Sequence, residues 1–165
     1  MDVLSHGLWG NIFVYKKLKN EPKQRWLAVV FGMLPDIIPF APSFIYTILS
    51  RQEFMSIFLS SHWTVRFAAE AYNYTHSLVI FSLVASAVFL LKRGKFYWPL
   101  LAWGIHILMD IPTHPDFYQT PFLFPLSEYK VTFGASWAAW WIFIPNWTLI
   151  ILWYAWWYFK GRRKA

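Results

Sequence analysis

Five ionisable side chains, His6, Asp36, His76, His106 and Asp110, sit within or at the ends of apolar stretches, while the basic residues cluster elsewhere. Isolated charges in such surroundings are costly, so near a bilayer they ordinarily face a site or a pathway. Imidazole and carboxylate together suit zinc, manganese or iron, and three His with two Asp are enough donors for one or two ions. His106 and Asp110 are four residues apart and share a face if the segment is helical. No cysteine is present, which excludes a thiolate metal site, a cysteine nucleophile and a disulfide framework.

Composition sets the frame for these residues. The 165-residue chain is 58% hydrophobic and 22% aromatic with only 14% charge, an apolar excess over ordinary soluble domains. We expect an all-α fold: a single polytopic membrane bundle of about four to five membrane-embedded helices, with extra helices on the outer side. The start of the chain lacks a basic region before a long apolar run, so no cleavable signal is expected.

The net charge of +7 raises nucleic acid as a partner. Yet Lys16, Lys17, Lys19, Lys23 and Arg25, then Lys92, Arg93 and Lys95, then Lys160, Arg162, Arg163 and Lys164 all flank apolar segments. That placement is the one topology signals take, and it favours membrane lipid over nucleic acid as partner.

Apolar segments are expected at Val3 to Tyr15, Trp26 to Leu34, His76 to Leu91, Phe96 to Ile111 and Phe133 to Phe159. Pro39 and Pro42 are expected to break the chain after the second segment. One or two helices over Ser43 to Ser60 and Trp63 to Tyr72 then lie at the interface. Pro112 to Thr132 reads as a long irregular loop of the kind that often covers a site. Pro145-Asn146 interrupts the last segment, a place for a kink.

Placing the basic clusters in the cytoplasm fixes the direction of every segment, with the N-terminus outside and the C-terminus inside. At the helical rise, His6, Asp36 and His106 lie about 15 to 16 Å above their basic flanks, and Asp110 and His76 about 22 to 24 Å. All five therefore fall toward one membrane side at similar depth. A proton or cation path would need polar residues continuing toward the basic face, and few are found there. A site opening outward is the expected arrangement, with interhelical hydrogen bonding as the plainer alternative.

The strings His6-Gly7, Gly32-Met-Leu-Pro-Asp36, Tyr74-Thr-His76-Ser77, His106-Ile-Leu-Met-Asp110 and Thr120-Pro-Phe-Leu-Phe-Pro-Leu-Ser127 resemble those of the bacterial membrane-bound metal-dependent hydrolases. By pattern that family is distantly similar to zinc-dependent phospholipase C and single-strand nucleases. The resemblance covers residues 5 to about 130. It implies a multi-pass protein of the bacterial inner membrane in which His6, Asp36, His76, His106 and Asp110 are metal ligands, with His114 a sixth candidate. The family's basic residue before the Thr-His-Ser string is replaced here by Asn73 and Tyr74.

The activity expected is hydrolysis of a phosphoester of a lipid or lipid-linked substrate by water activated on a divalent metal, zinc foremost. Asp36, Asp110 and His114 are the candidates for proton transfer, and Arg66, Arg51 or Lys130 for contact with the anion. A non-enzymatic metal-binding membrane protein or cation transporter is the alternative from another class.

Overall fold

The computed structural model describes residues 1–115 and 118–162. Asp116, considered alongside His114 as a ligand, lies outside them, as do Arg163, Lys164 and the Arg162 side chain from the third basic cluster. The described residues form seven α-helices and one 3-10 turn, without a strand. The helices are α1 (Val3–Leu18), α2 (Pro22–Ser50), α3 (Phe54–Phe58), α4 (Trp63–Thr75), α5 (Leu78–Leu91), α6 (Leu101–Asp110) and α7 (Trp140–Arg162). The all-α expectation holds.

Helix α1 starts at Asp2, whose carboxylate accepts from the Ser5 backbone N–H, the usual way to satisfy a free helix N-terminus. A turn with Pro22 at its end reverses the chain into α2. The two helices touch backbone to backbone at Gly7 and Gly32, where a Cβ on Gly32 would stand 2.8 Å from the His6 carbonyl oxygen and 2.9 Å from Gly7 Cα. That approach sets His6 beside the half of α2 that carries Asp36. Helix α6 packs over both, and Val14, Leu18, Ala28 and Ala102 form a small apolar core.

Contrary to the expected break, α2 runs for 29 residues straight through Pro35, Pro39 and Pro42. Each proline removes a backbone donor and normally disrupts a helix interior. Here Pro35 and Pro39 fall with Ala28, Gly32, Asp36 and Ser43 on the buried stripe of α2, so packing and partner side chains compensate for the lost bonds. Helix α7 likewise continues through Pro145, and begins at Trp140, seven residues after the expected start.

Among the described residues, α2 alone is long and apolar enough to cross a membrane, or two spans if α4 and α5, bent by 60° at their junction, count as one. The other apolar segments are shorter than the composition led us to expect: α5 has 14 residues and α6 has 10. The three basic regions nonetheless meet. Lys17 lies over the Trp98 ring, Arg25 over Tyr15 and Trp157, Lys92 over Tyr97 and Lys160 over Trp156, at 4.5–5.0 Å. One end of the bundle is thus basic and aromatic.

Candidate metal centre

At the other end, Asp36 from α2, His76 from the α4–α5 junction, and His106 and Asp110 from α6 each offer a ligand atom, all within 4.8 Å of one another. His76, His106 and Asp110 are fully buried and Asp36 nearly so. His76 Nε2 lies 3.0 Å from His106 Nε2. Asp110 Oδ2 lies 3.0 Å from His106 Nε2 and 3.4 Å from His76 Nε2, and Asp36 Oδ1 lies 3.7 and 3.4 Å from the same nitrogens.

The outer nitrogens of both rings fix what the inner ones present. His106 Nδ1 lies 2.7 Å from the Gly32 carbonyl; a carbonyl only accepts, so Nδ1 carries the proton and donates. Pro39 has no N–H to give to the Pro35 carbonyl four residues earlier, and the Thr75 hydroxyl donates to that oxygen instead, at 3.0 Å. With its hydrogen so used, Thr75 Oγ accepts from His76 Nδ1, also at 3.0 Å. With Nδ1 carrying a proton, each ring turns its Nε2 inward, where the neutral form presents a lone pair.

Two lone pairs and two carboxylates facing one another repel, and Asp110 Oδ2 has no hydrogen-bond donor although it is fully enclosed. A cation at their centre resolves this. Neutral imidazoles with two carboxylates carry a charge of −2, which a divalent ion balances. Zinc takes imidazole nitrogen and carboxylate oxygen at about 2.0–2.2 Å, and ligand atoms 3.0–3.7 Å apart are spaced to share one such ion. A ring N–H held by a backbone carbonyl or hydroxyl is also the usual support for a metal-ligating imidazole. The donor set fits a metal.

His6 belongs to the same cluster in a different position. Its Nε2 is 2.9 Å from Asp110 Oδ1 and its ring stacks on His106 at 3.7 Å, yet neither ring nitrogen makes an aligned hydrogen bond. It is thus beside the four-atom group, against the outer oxygen of Asp110. His114 Nδ1 approaches that same oxygen at 3.1 Å, as does the Met1 amino nitrogen at 2.8 Å. Arg66 stands on an exposed face of α4, and neither it, Arg51 nor Lys130 lines the cavity described next.

The centre is braced by Ser77, Phe122 and Phe124 from the motif strings and by Tyr72, Trp103 and Tyr118, which the sequence left unmarked. The Tyr72 ring stacks on His76 at 3.6 Å, and its hydroxyl donates to the Tyr118 carbonyl. Trp103 Nε1 donates to the Thr75 carbonyl, the Leu78 N–H to the Phe122 carbonyl, and the Ser77 hydroxyl to the Phe124 carbonyl. Ser77 Oγ also caps α5 by accepting from Val79 and Ile80. The irregular 118–132 stretch is therefore a clamp on the His76 junction. A signal for this bracing was present: prolines four apart in α2, and a hydroxyl residue directly before His76.

A cavity of about 760 Å³ opens beside the centre, with Asp36, His114 and Asp2 at its polar end and Phe40, Phe44, Phe58 and Trp137 among its walls. Asp110, His76 and His106 lie behind it. Burial pushes the Tyr118 phenol, on the cavity wall, above its ordinary range, so it stays a hydrogen-bond donor at neutral pH. No protein family, curated protein or solved structure matches the chain, and the functional reading below stands on this geometry.

Proposed function

We propose that the chain is a membrane-embedded metal-dependent hydrolase acting on a phosphoester of a lipid or lipid-linked substrate. The observation that carries the reading is the inward pair of Nε2 lone pairs, 3.0 Å apart and enclosed with two carboxylates, beside a cavity large enough for an organic ligand. Asp36, His76, His106 and Asp110 hold the ion, zinc being suited to nitrogen and oxygen donors at these spacings. When bound, the ion supplies Lewis acidity and lowers the pKa of a coordinated water toward 7.

The chain's own groups divide the remaining work by position. Asp110 is fully enclosed, so it serves as ligand and as anchor for His6 and His114. Asp36 lies both in the ligand group and on the cavity wall, where it meets the substrate. His114, 15% exposed and 3.1 Å from Asp110 Oδ1, stands at the same wall in reach of a leaving group and is the residue to deliver its proton.

Membrane embedding is supported by the outer surface of the bundle. Helix α5 has no charged residue and none of its side chains is buried; Leu83, Leu90 and Leu91 are 63–83% exposed. An uncharged helix that leaves this much apolar side-chain surface outside the protein belongs in lipid. With α2 in a bacterial inner membrane and the basic end in the cytoplasm, the metal centre lies at the middle of α2, and its cavity runs along the half of α2 directed toward the outer face.

The test is metal content and turnover measured on the same purified protein. Stoichiometric zinc with hydrolysis of bis-p-nitrophenyl phosphate, both lost in His76→Ala and Asp110→Ala, is the expected result. Retained metal without ester turnover but with metal-dependent flux in vesicles would replace the enzyme by a transporter. Absence of metal after reconstitution would reduce the cluster to interhelical hydrogen bonds.

A further inference from the structure

The cavity beside Asp36 has a shape and lining that the hydrolytic reading alone does not require. From its polar end it extends along the second half of α2 toward α3, bounded by Phe40, Ala41, Phe44, Phe54 and Phe58. Aromatic rings line the route without a gap. Tyr72, stacked on His76, contacts Tyr118 at 5.0 Å; Tyr118 contacts Phe40 at 5.2 Å and Phe58 at 5.8 Å; Phe58 contacts Phe54, and Phe54 stacks on Phe44 at 4.7 Å. Beyond Asp36, Asp2 and His114, its lining carries neither an acidic nor a basic side chain.

Rings in such a run give a mainly apolar wall, in which the Tyr118 hydroxyl is a polar exception. The recognition they offer suits a flexible hydrocarbon, while the polar end suits one charged or hydrogen-bonding head. Toward the far end, Ile48 and Leu49 at the end of α2 and Met55 and Leu59 on and just after α3 are 57–78% exposed, an apolar rim beside the helix that is long and apolar enough to cross a membrane.

We infer that this cavity is a binding chamber for one hydrocarbon chain of a phosphate-headed lipid, with the head at the metal centre beside Asp36 and His114 and the chain end against the stacked Phe44 and Phe54 rings, so that α2 and α3 measure chain length. This rests on the proposed function for the placement of the head, but the chamber itself is read from α2, α3 and the 118 region. Ala41 is a wall position at which the gauge can be altered. It lines the cavity one residue past Phe40 and contributes only a methyl group to the wall.

Binding of non-hydrolysable n-alkylphosphonates, from methyl to hexadecyl, to the metal-loaded full chain in amphipol tests this without turnover. In the wild type, affinity should rise by about fourfold per added methylene until the chamber is full, then level off. Ala41→Trp should move the levelling point to chains several methylenes shorter. Phe44→Ala should move it to longer chains, which guards against misfolding of the first variant, since a damaged protein would not gain reach.

The same levelling point in wild type and both variants, or affinity that climbs steadily to hexadecyl as in simple partitioning, overturns the chamber. A chain-length optimum in binding together with no hydrolysis of any ester would retain the chamber and discard the enzyme reading. Hydrolysis of bis-p-nitrophenyl phosphate with no chain-length optimum would do the reverse.

Discussion

Thr75→Val isolates the relay that orients His76. Valine keeps the shape of the side chain and removes the hydroxyl that donates to the Pro35 carbonyl and accepts from His76 Nδ1, both at 3.0 Å. Two buried polar groups then lack partners, at about 1–3 kcal/mol each, so the metal-free protein should lose on the order of 2–5 kcal/mol of stability. With Nδ1–H unheld, the ring can turn and the alternative tautomer becomes available. Loss of such an outer contact typically costs about 10–100-fold in metal affinity. Chelator competition in amphipol reads the affinity, and denaturant unfolding of the metal-free protein reads the stability.

Pro39→Ala separates the two effects. Alanine restores a backbone N–H that can donate to the Pro35 carbonyl, so removing the Thr75 hydroxyl in that background should cost about 1–3 kcal/mol less stability than in the wild type. The loss of metal affinity should be the same in both backgrounds, because alanine at 39 gives nothing to His76. Zinc bound by Thr75→Val within twofold of wild type would refute the relay. So would a rescue of affinity by Pro39→Ala.

Added zinc should raise the thermal midpoint, equivalent to about 2.7 kcal/mol at a free concentration one hundred times its Kd, and EDTA should reverse the rise; an unchanged midpoint would speak against a cation at the cluster. Asp110→Asn keeps the volume but lowers the charge of the donor set to −1 and should abolish stoichiometric metal by elemental analysis. Gly32→Ala should cost about 1–3 kcal/mol by overpacking, because its new Cβ meets backbone atoms of His6 and Gly7 that yield only if α1 and α2 separate; Gly104→Ala, whose Cβ meets the Phe81 ring, should cost less in the same denaturant assay. Ser77→Ala should lose about 1 kcal/mol from the α5 cap, with a further loss from the freed Phe124 carbonyl.

The sequence by itself determined the helical class and singled out the ionisable residues that the structure brings together, four as one group with His6 and His114 beside it. Each follows from local chemistry: ionisable groups are expelled from apolar segments unless they meet one another, and basic clusters mark the opposite ends of those segments. His106 and Asp110 were readable as a pair because four residues is one helical turn. The tertiary structure decided what no single segment encodes. Pro35, Pro39 and Pro42 read as breakers because a proline removes a hydrogen bond within its own helix, yet α2 persists because the replacement donor, the Thr75 hydroxyl, comes from α4, forty residues away. Which imidazole nitrogen faces inward, which carboxylate is enclosed and which meets the cavity, and the aromatic chamber beyond Asp36 all depend on contacts between segments far apart in the chain. Spacing along one helix carries no information about them.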